Sequence, residues 1–189
     1  LPGGRERARP ASGTCRGHRK PPGRSCSERS TPSLHDAPPP AAAAPELGPE
    51  FSLVADEGGL AAPLSSNRAA LDLLVAGIER SGLAVGSEAA IAVDVAASQL
   101  VAVDGYALAS EGRSLRAAEL VEEMAAWSEE YPIVSIEDAL GEDDGEGWGL
   151  VTHRLADRIQ LVGDDLFATS PSRLETGIAE GIANAVLVK

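Results

Sequence analysis

Five short apolar runs, each closed by a residue that can do chemistry, limit what this chain can fold into more than any other feature. They occupy residues 51–55, 90–93, 133–136, 159–163 and 185–188, and they stop at Asp56-Glu57, Asp94, Glu137-Asp138, Asp164-Asp165 and Lys189. Near-continuous apolar runs of this length read as strands buried on both faces. A polar residue at the end of such a strand is delivered to the strand's exposed terminus. Between the runs, apolar residues recur at helical spacing: Leu71, Leu74, Val75 and Ile78; Leu120, Met124 and Trp127; Trp148, Val151 and Leu155; Leu174, Ile178 and Ile182. Ser65-Ser66-Asn67, Ser114 and Ser170-Pro171 stand where these helices need N-caps. Met and Trp in these stripes read as core packing.

Strand and helix therefore alternate, which argues for a parallel sheet covered by helices. An open doubly wound sheet and a (β/α)8 barrel both accommodate the pattern, and both place functional groups at the carboxyl ends of their strands. Asp104-Gly105, between residues 100–103 and 106–108, predicts a small inserted hairpin after the second run. Five strands fall short of the eight that close a barrel. An open sheet would leave an apolar edge that invites association, so the stretch is not expected to be stable as a monomer.

Composition divides the chain in two. Residues 1–50 hold ten of the thirteen prolines, both cysteines, and eight Lys/Arg against five Asp/Glu. The whole chain carries −13, so residues 51–189 carry −16. The basic head lacks apolar periodicity and is expected to be a disordered extension, residues 1–50. No aromatic residue interleaves with its basic ones, and no nucleic-acid partner is expected. Cys15 and Cys26, with His18 between them, are too few for a zinc site, which takes about four ligands, and read as free thiols. The one methionine is Met124, so Leu1 is not a translation start and the chain is expected to be a fragment, a processed product or an incomplete gene model. No run approaches the roughly 20 residues that span a bilayer, and no signal peptide stands at the observed start. A soluble, cytoplasmic protein is the expectation.

Asp94, Glu137 and Asp164 form the chemically interesting set. Three carboxylates converging at the mouth of a sheet repel one another unless a cation joins them. Hard oxygen ligands on rigid strands suit Mg²⁺, and neither His nor Cys is placed to bring zinc or copper. Any one strand-terminal acid is ordinarily a solvated loop residue or a helix cap. Three in succession leave that reading and a metal centre both open. Lys189 is either a solvated lysine or a base partly desolvated beside bound cations, its pKa lowered so that the neutral amine is available. Glu57 would face it as an acid. Such a pair suits proton abstraction next to a carboxylate and loss of a leaving group, with the metal stabilising the charge of the aci-carboxylate.

The residues around these positions closely resemble one family. Asp56-Glu57-Gly58-Gly59 followed by Leu64-Ser65-Ser66-Asn67 is similar to the DEGG…LxSN segment of enolase (phosphopyruvate hydratase). Asp94-Val95-Ala96-Ala97-Ser98, residues 131–138 (YPIVSIED), Val162-Gly163-Asp164-Asp165-Leu166 and Gly181-Ile182-Ala183-Asn184 continue the resemblance in order across residues 51–189. The resemblance implies a partial (β/α)8 barrel, about five of eight strands. It implies Glu57 as general acid, Asp94, Glu137 and Asp164 as magnesium ligands, and Lys189 as the base that removes the C2 proton of 2-phosphoglycerate. The implied reaction is the reversible dehydration of 2-phosphoglycerate to phosphoenolpyruvate in glycolysis, with two Mg²⁺ per active site in a cytoplasmic homodimer. Residues 1–50 do not resemble the family's capping domain, and the segments that grip phosphate are absent. Ala62-Pro63 and Gln99 also depart from the usual pattern. By itself, then, the 189-residue polypeptide is expected to show no turnover. The alternative is a truncated, non-catalytic relative with a binding role, for example at a cell surface through Lys189. Another dehydratase or racemase of the wider superfamily is a third possibility, disfavoured by Glu57 within DEGG.

Overall fold

The structure is a computed structural model, and it describes Val54, Gly59 and residues 61–189. The first apolar run, Glu57, the cysteines and the expected disordered head otherwise lie outside the described residues. Helix α1 (Asn67–Arg80) leads to strand β1 (Ile91–Asp94). Three short strands follow, β2 (Val101–Ala102), β3 (Gly105–Leu108) and β4 (Arg113–Leu115). The rest alternates: α2 (Ala117–Glu130), β5 (Ile133–Glu137), α3 (Gly145–Leu155), β6 (Gln160–Gly163), α4 (Pro171–Glu180) and β7 (Ala185–Val186). Strands β1, β5, β6 and β7 pair in that order, all parallel. This is an open run of consecutive βα units with the strand order of a barrel wall; among the described residues it does not close.

The core fills the space between this sheet and its helices. Leu120, Met124 and Trp127 of α2 and Trp148, Val151 and Leu155 of α3 are buried against Ile133 and Ile136 of β5 and Leu161 of β6. Strand residues on the opposite face stay open, as Ala92 of β1 does, and Val134 is exposed where the β1–β5 register shifts. Caps fall largely where small polar residues allow them. Ser66 Oγ accepts the Ala69 amide at 3.1 Å, and Asp144 Oδ1 accepts that of Gly147 at 2.8 Å. Ser170-Pro171 opens α4 with proline in its first turn.

Three expectations shift. Ser114 does not cap α2; it sits in β4 opposite Ala107, and the Glu119 carboxylate instead reaches back to the Arg116 amide at 2.8 Å. The hairpin turns at Val103-Asp104, because Gly105 pairs with Ala102 and is already in β3. Gly105 has φ +134°, and a Cβ there would lie 2.3 Å from the Leu115 carbonyl oxygen, so the third strand β4 depends on glycine at this position. Ile178, expected on the buried stripe of α4, is 72% exposed.

Candidate active site

The parallel register brings the charged strand ends together. Asp94 closes β1 directly opposite Glu137, which closes β5 and in turn pairs with Val162 of β6. Asp164 follows β6 one residue beyond its last strand position. Neighbouring strands lie about 4.8 Å apart, so acids at equivalent heights on three of them cannot avoid one another. Carboxylate oxygens of Glu137, Asp138 and Asp164 all lie within 4.8 Å of each other. Asp94 stands beside this group without joining it, and its Oδ1 accepts the Ala96 amide at 2.9 Å.

Beyond β6 the chain folds straight back, with the Phe167 and Ala168 amides donating to the Asp164 carbonyl at 3.2 and 2.7 Å. Gly163 permits this, since a Cβ there would meet the Phe167 ring at 2.6 Å. Lys189 arrives from β7. Its ammonium lies 2.5 Å from Asp164 Oδ2, and its backbone amide donates to Thr169 Oγ1 at 3.1 Å. The structure thus joins Glu137, Asp164 and Lys189, places Asp94 alongside, and adds Asp138. Glu57 lies outside the described residues.

Electrostatics follow from this crowding. Partial burial, and then the charges of Asp94, Asp164 and Asp138, push the Glu137 carboxyl above its ordinary range, with Lys189 opposing them. Lys189 is also raised, by its hydrogen bond to Asp164 and then by the charges of Asp164, Asp165 and Glu137. The side chain is 66% exposed, and with acids around it the charged form is favoured; the lowered pKa expected of Lys189 applies beside bound cations. A divalent cation suits the donor set: all donors are carboxylate oxygens, Glu137 and Asp164 are partly exposed, and the charge of Glu137 is disfavoured until a positive partner arrives.

The raised Glu137 pKa fixes a pH dependence. A carboxyl that binds its proton more tightly when folded destabilises the fold above its folded pKa. That penalty is relieved as pH falls through the folded value and is gone below the unfolded one, about 4.3. Glu137→Gln is therefore expected to raise the urea midpoint of the metal-free chain at pH 7, with the advantage shrinking on acidification. A Gln variant less stable than wild type at pH 7 would contradict this account of the cluster.

Residues 43–189 match the family described as enolase, C-terminal TIM barrel domain. The chain belongs to the enolase family. It is 52% identical over 134 residues to the enolase of Sulfurimonas denitrificans, covering 71% of this chain and 32% of that relative. With the enolase of Rubrobacter xylanophilus it shares 52% identity over 136 residues, covering 72% of this chain and 32% of the relative. The chain thus spans about a third of the length of these enolases. Among the described residues no helix is long and apolar enough to cross a membrane.

Two residues of the site escaped the sequence reading. Asp138 was visible only as the second acid of a pair, and Thr169 gave no signal. Both have positive φ, +41° and +53°, a backbone state that tertiary packing imposes.

Proposed function

We propose that residues 51–189 are part of the barrel of an enolase-type lyase, following a separate extension of residues 1–50. In this reading the whole protein reversibly dehydrates 2-phosphoglycerate to phosphoenolpyruvate, as a cytoplasmic homodimer. The observation that carries it is the juxtaposition of Lys189, 2.5 Å from Asp164, with the Glu137–Asp138–Asp164 carboxylates, on three neighbouring parallel strands of an enolase-family sheet. Asp94, Glu137 and Asp164 would hold Mg²⁺. Bound there, Mg²⁺ would neutralise charge on the substrate carboxylate as the C2 proton leaves.

The chain's own residues do the proton work. Asp164 shares its Oδ2 with the Lys189 ammonium. When Asp164 is engaged elsewhere, Lys189 loses the partner that most favours its charge. A lysine so released, beside added positive charge, gives up its proton more readily and can take one from C2. Glu57 would protonate the departing hydroxyl from the opposite side.

The test is a chimera in which residues 61–189 replace the corresponding segment of the Rubrobacter xylanophilus enolase. Phosphoenolpyruvate formation from 2-phosphoglycerate with Mg²⁺ is expected. A folded chimera with no turnover above background would overturn the reading.

A further inference from the structure

Asp138 is the buried charged residue among those described, 4% exposed, and each of its carboxylate oxygens accepts a backbone amide. Oδ1 accepts the Asp164 amide and Oδ2 the Asp165 amide, each at 2.9 Å. Its backbone is committed as well: its amide donates to the Val162 carbonyl at 3.0 Å, and its carbonyl accepts the Ala97 amide at 3.0 Å. One residue thus ties the ends of β1, β5 and β6. It does so at φ +41°, a conformation that only Gly, Asn and Asp adopt with ease.

Proximity alone would make Asp138 a third ligand of the carboxylate group. Burial argues otherwise. Mg²⁺ dehydrates reluctantly and keeps several waters, so its ligands need an open side, which Glu137 and Asp164 have and Asp138 lacks. We propose that Asp138 is a positioning residue: its carboxylate clamps two successive backbone amides and so aims Asp164 at the cation and at Lys189. The metal half of this inference rests on the function proposed above; the clamp itself does not. The clamp also has a physical reason to exist. Glu137 and Asp164 repel each other, and an anion that accepts two N–H groups holds the β6 end in place with charge-assisted hydrogen bonds. Partners that orient a ligand in this way typically set about 10–100-fold in metal affinity.

The experiment uses the isotope-labelled 189-residue chain, wild type, Asp138→Asn and, as control, Asp143→Asn, an exposed acid of the same loop. Asn tolerates the positive φ but offers one acceptor where two amides need one each. In Asp138→Asn the amide protons of residues 164 and 165 are expected to move upfield, and Mg²⁺ affinity to fall about 10–100-fold; the control changes neither. Through-hydrogen-bond couplings from the Asp164 and Asp165 nitrogens to Asp138 Cγ, expected in the wild-type chain, need no variant to fold. Absent couplings, or amides that stay put in Asp138→Asn while Mg²⁺ binding disappears, would overturn the clamp in favour of a direct ligand. Moved amides with unchanged Mg²⁺ affinity would overturn the positioning role. A wild-type chain that binds no Mg²⁺ would count against the magnesium centre and the aiming role, while the couplings would still decide the clamp.

Discussion

Lys189→Ala in the chimera is expected to lower the turnover of 2-phosphoglycerate by about 10²–10⁴-fold, the usual range for loss of a positioned general base. The same substitution is expected to tighten Mg²⁺ binding. These opposite signs follow from one contact. The ammonium lies 2.5 Å from Asp164 Oδ2, so a cation that uses this oxygen competes with it. Alanine removes the competitor together with the base. A loss of turnover accompanied by weaker Mg²⁺ binding would instead mean that Lys189 acts by holding the site together. Calorimetric Mg²⁺ titration beside the kinetic assay separates the two.

The gathering of Asp94 and Glu137 at one end of the sheet was legible because each apolar run is stopped by an acid, whereas the register shift between Ile91 and Ala92 that sets them opposite each other was not. The helices were legible too, and Leu120, Met124, Trp148, Val151 and Leu155 are the buried side chains that their spacing requires. What remained hidden depends on contacts distant in sequence. Ser114 looks like a helix cap until Ala107 pairs with it. The spacing of Leu174 and Ile178 suggests an apolar stripe, yet α4 approaches the core through Gly177. A Cβ at Gly177 would meet the Phe167 ring at 2.5 Å, and this close approach turns Ile178 outward. For Lys189 the sequence left a solvated lysine and a base beside bound cations both open, and the acids around it, which favour its charge, come from strands distant in sequence. Asp138 is the sharpest case. The sequence showed it only as the second acid after a strand, and its burial, its positive φ and the two amides it accepts are what carry the proposed clamp.

Trp148→Ala is expected to destabilise the chain by about 3–5 kcal/mol, the range for deleting a large buried aromatic side chain. Trp148 is fully buried in α3, and its indole N–H donates to the Gly141 carbonyl at 3.1 Å. That carbonyl belongs to a small network. The Gly141 amide donates to Tyr106 Oη at 3.0 Å, Tyr106 donates to Asp144 Oδ2 at 2.6 Å, and Asp144 caps α3 through its other oxygen. Burial and the Asp144 carboxylate push the Tyr106 phenol well above its ordinary range, so it remains a donor at any working pH. Alanine would open a cavity and leave the Gly141 carbonyl without its donor. Phenylalanine would refill most of the volume and leave only the carbonyl unsatisfied, an expected loss of about 1–3 kcal/mol. Urea unfolding followed by far-UV circular dichroism gives both values, and their difference isolates packing from hydrogen bonding. The residues linking this network to the site run from Asp138 to Gly141, and Ala139 and Leu140 between them are buried. A loosened α3 should therefore reach the site, and Trp148→Ala should weaken Mg²⁺ binding more than Trp148→Phe does. Equal losses of stability in the two variants would show that the cavity contributes little and that the hydrogen bond to Gly141 dominates.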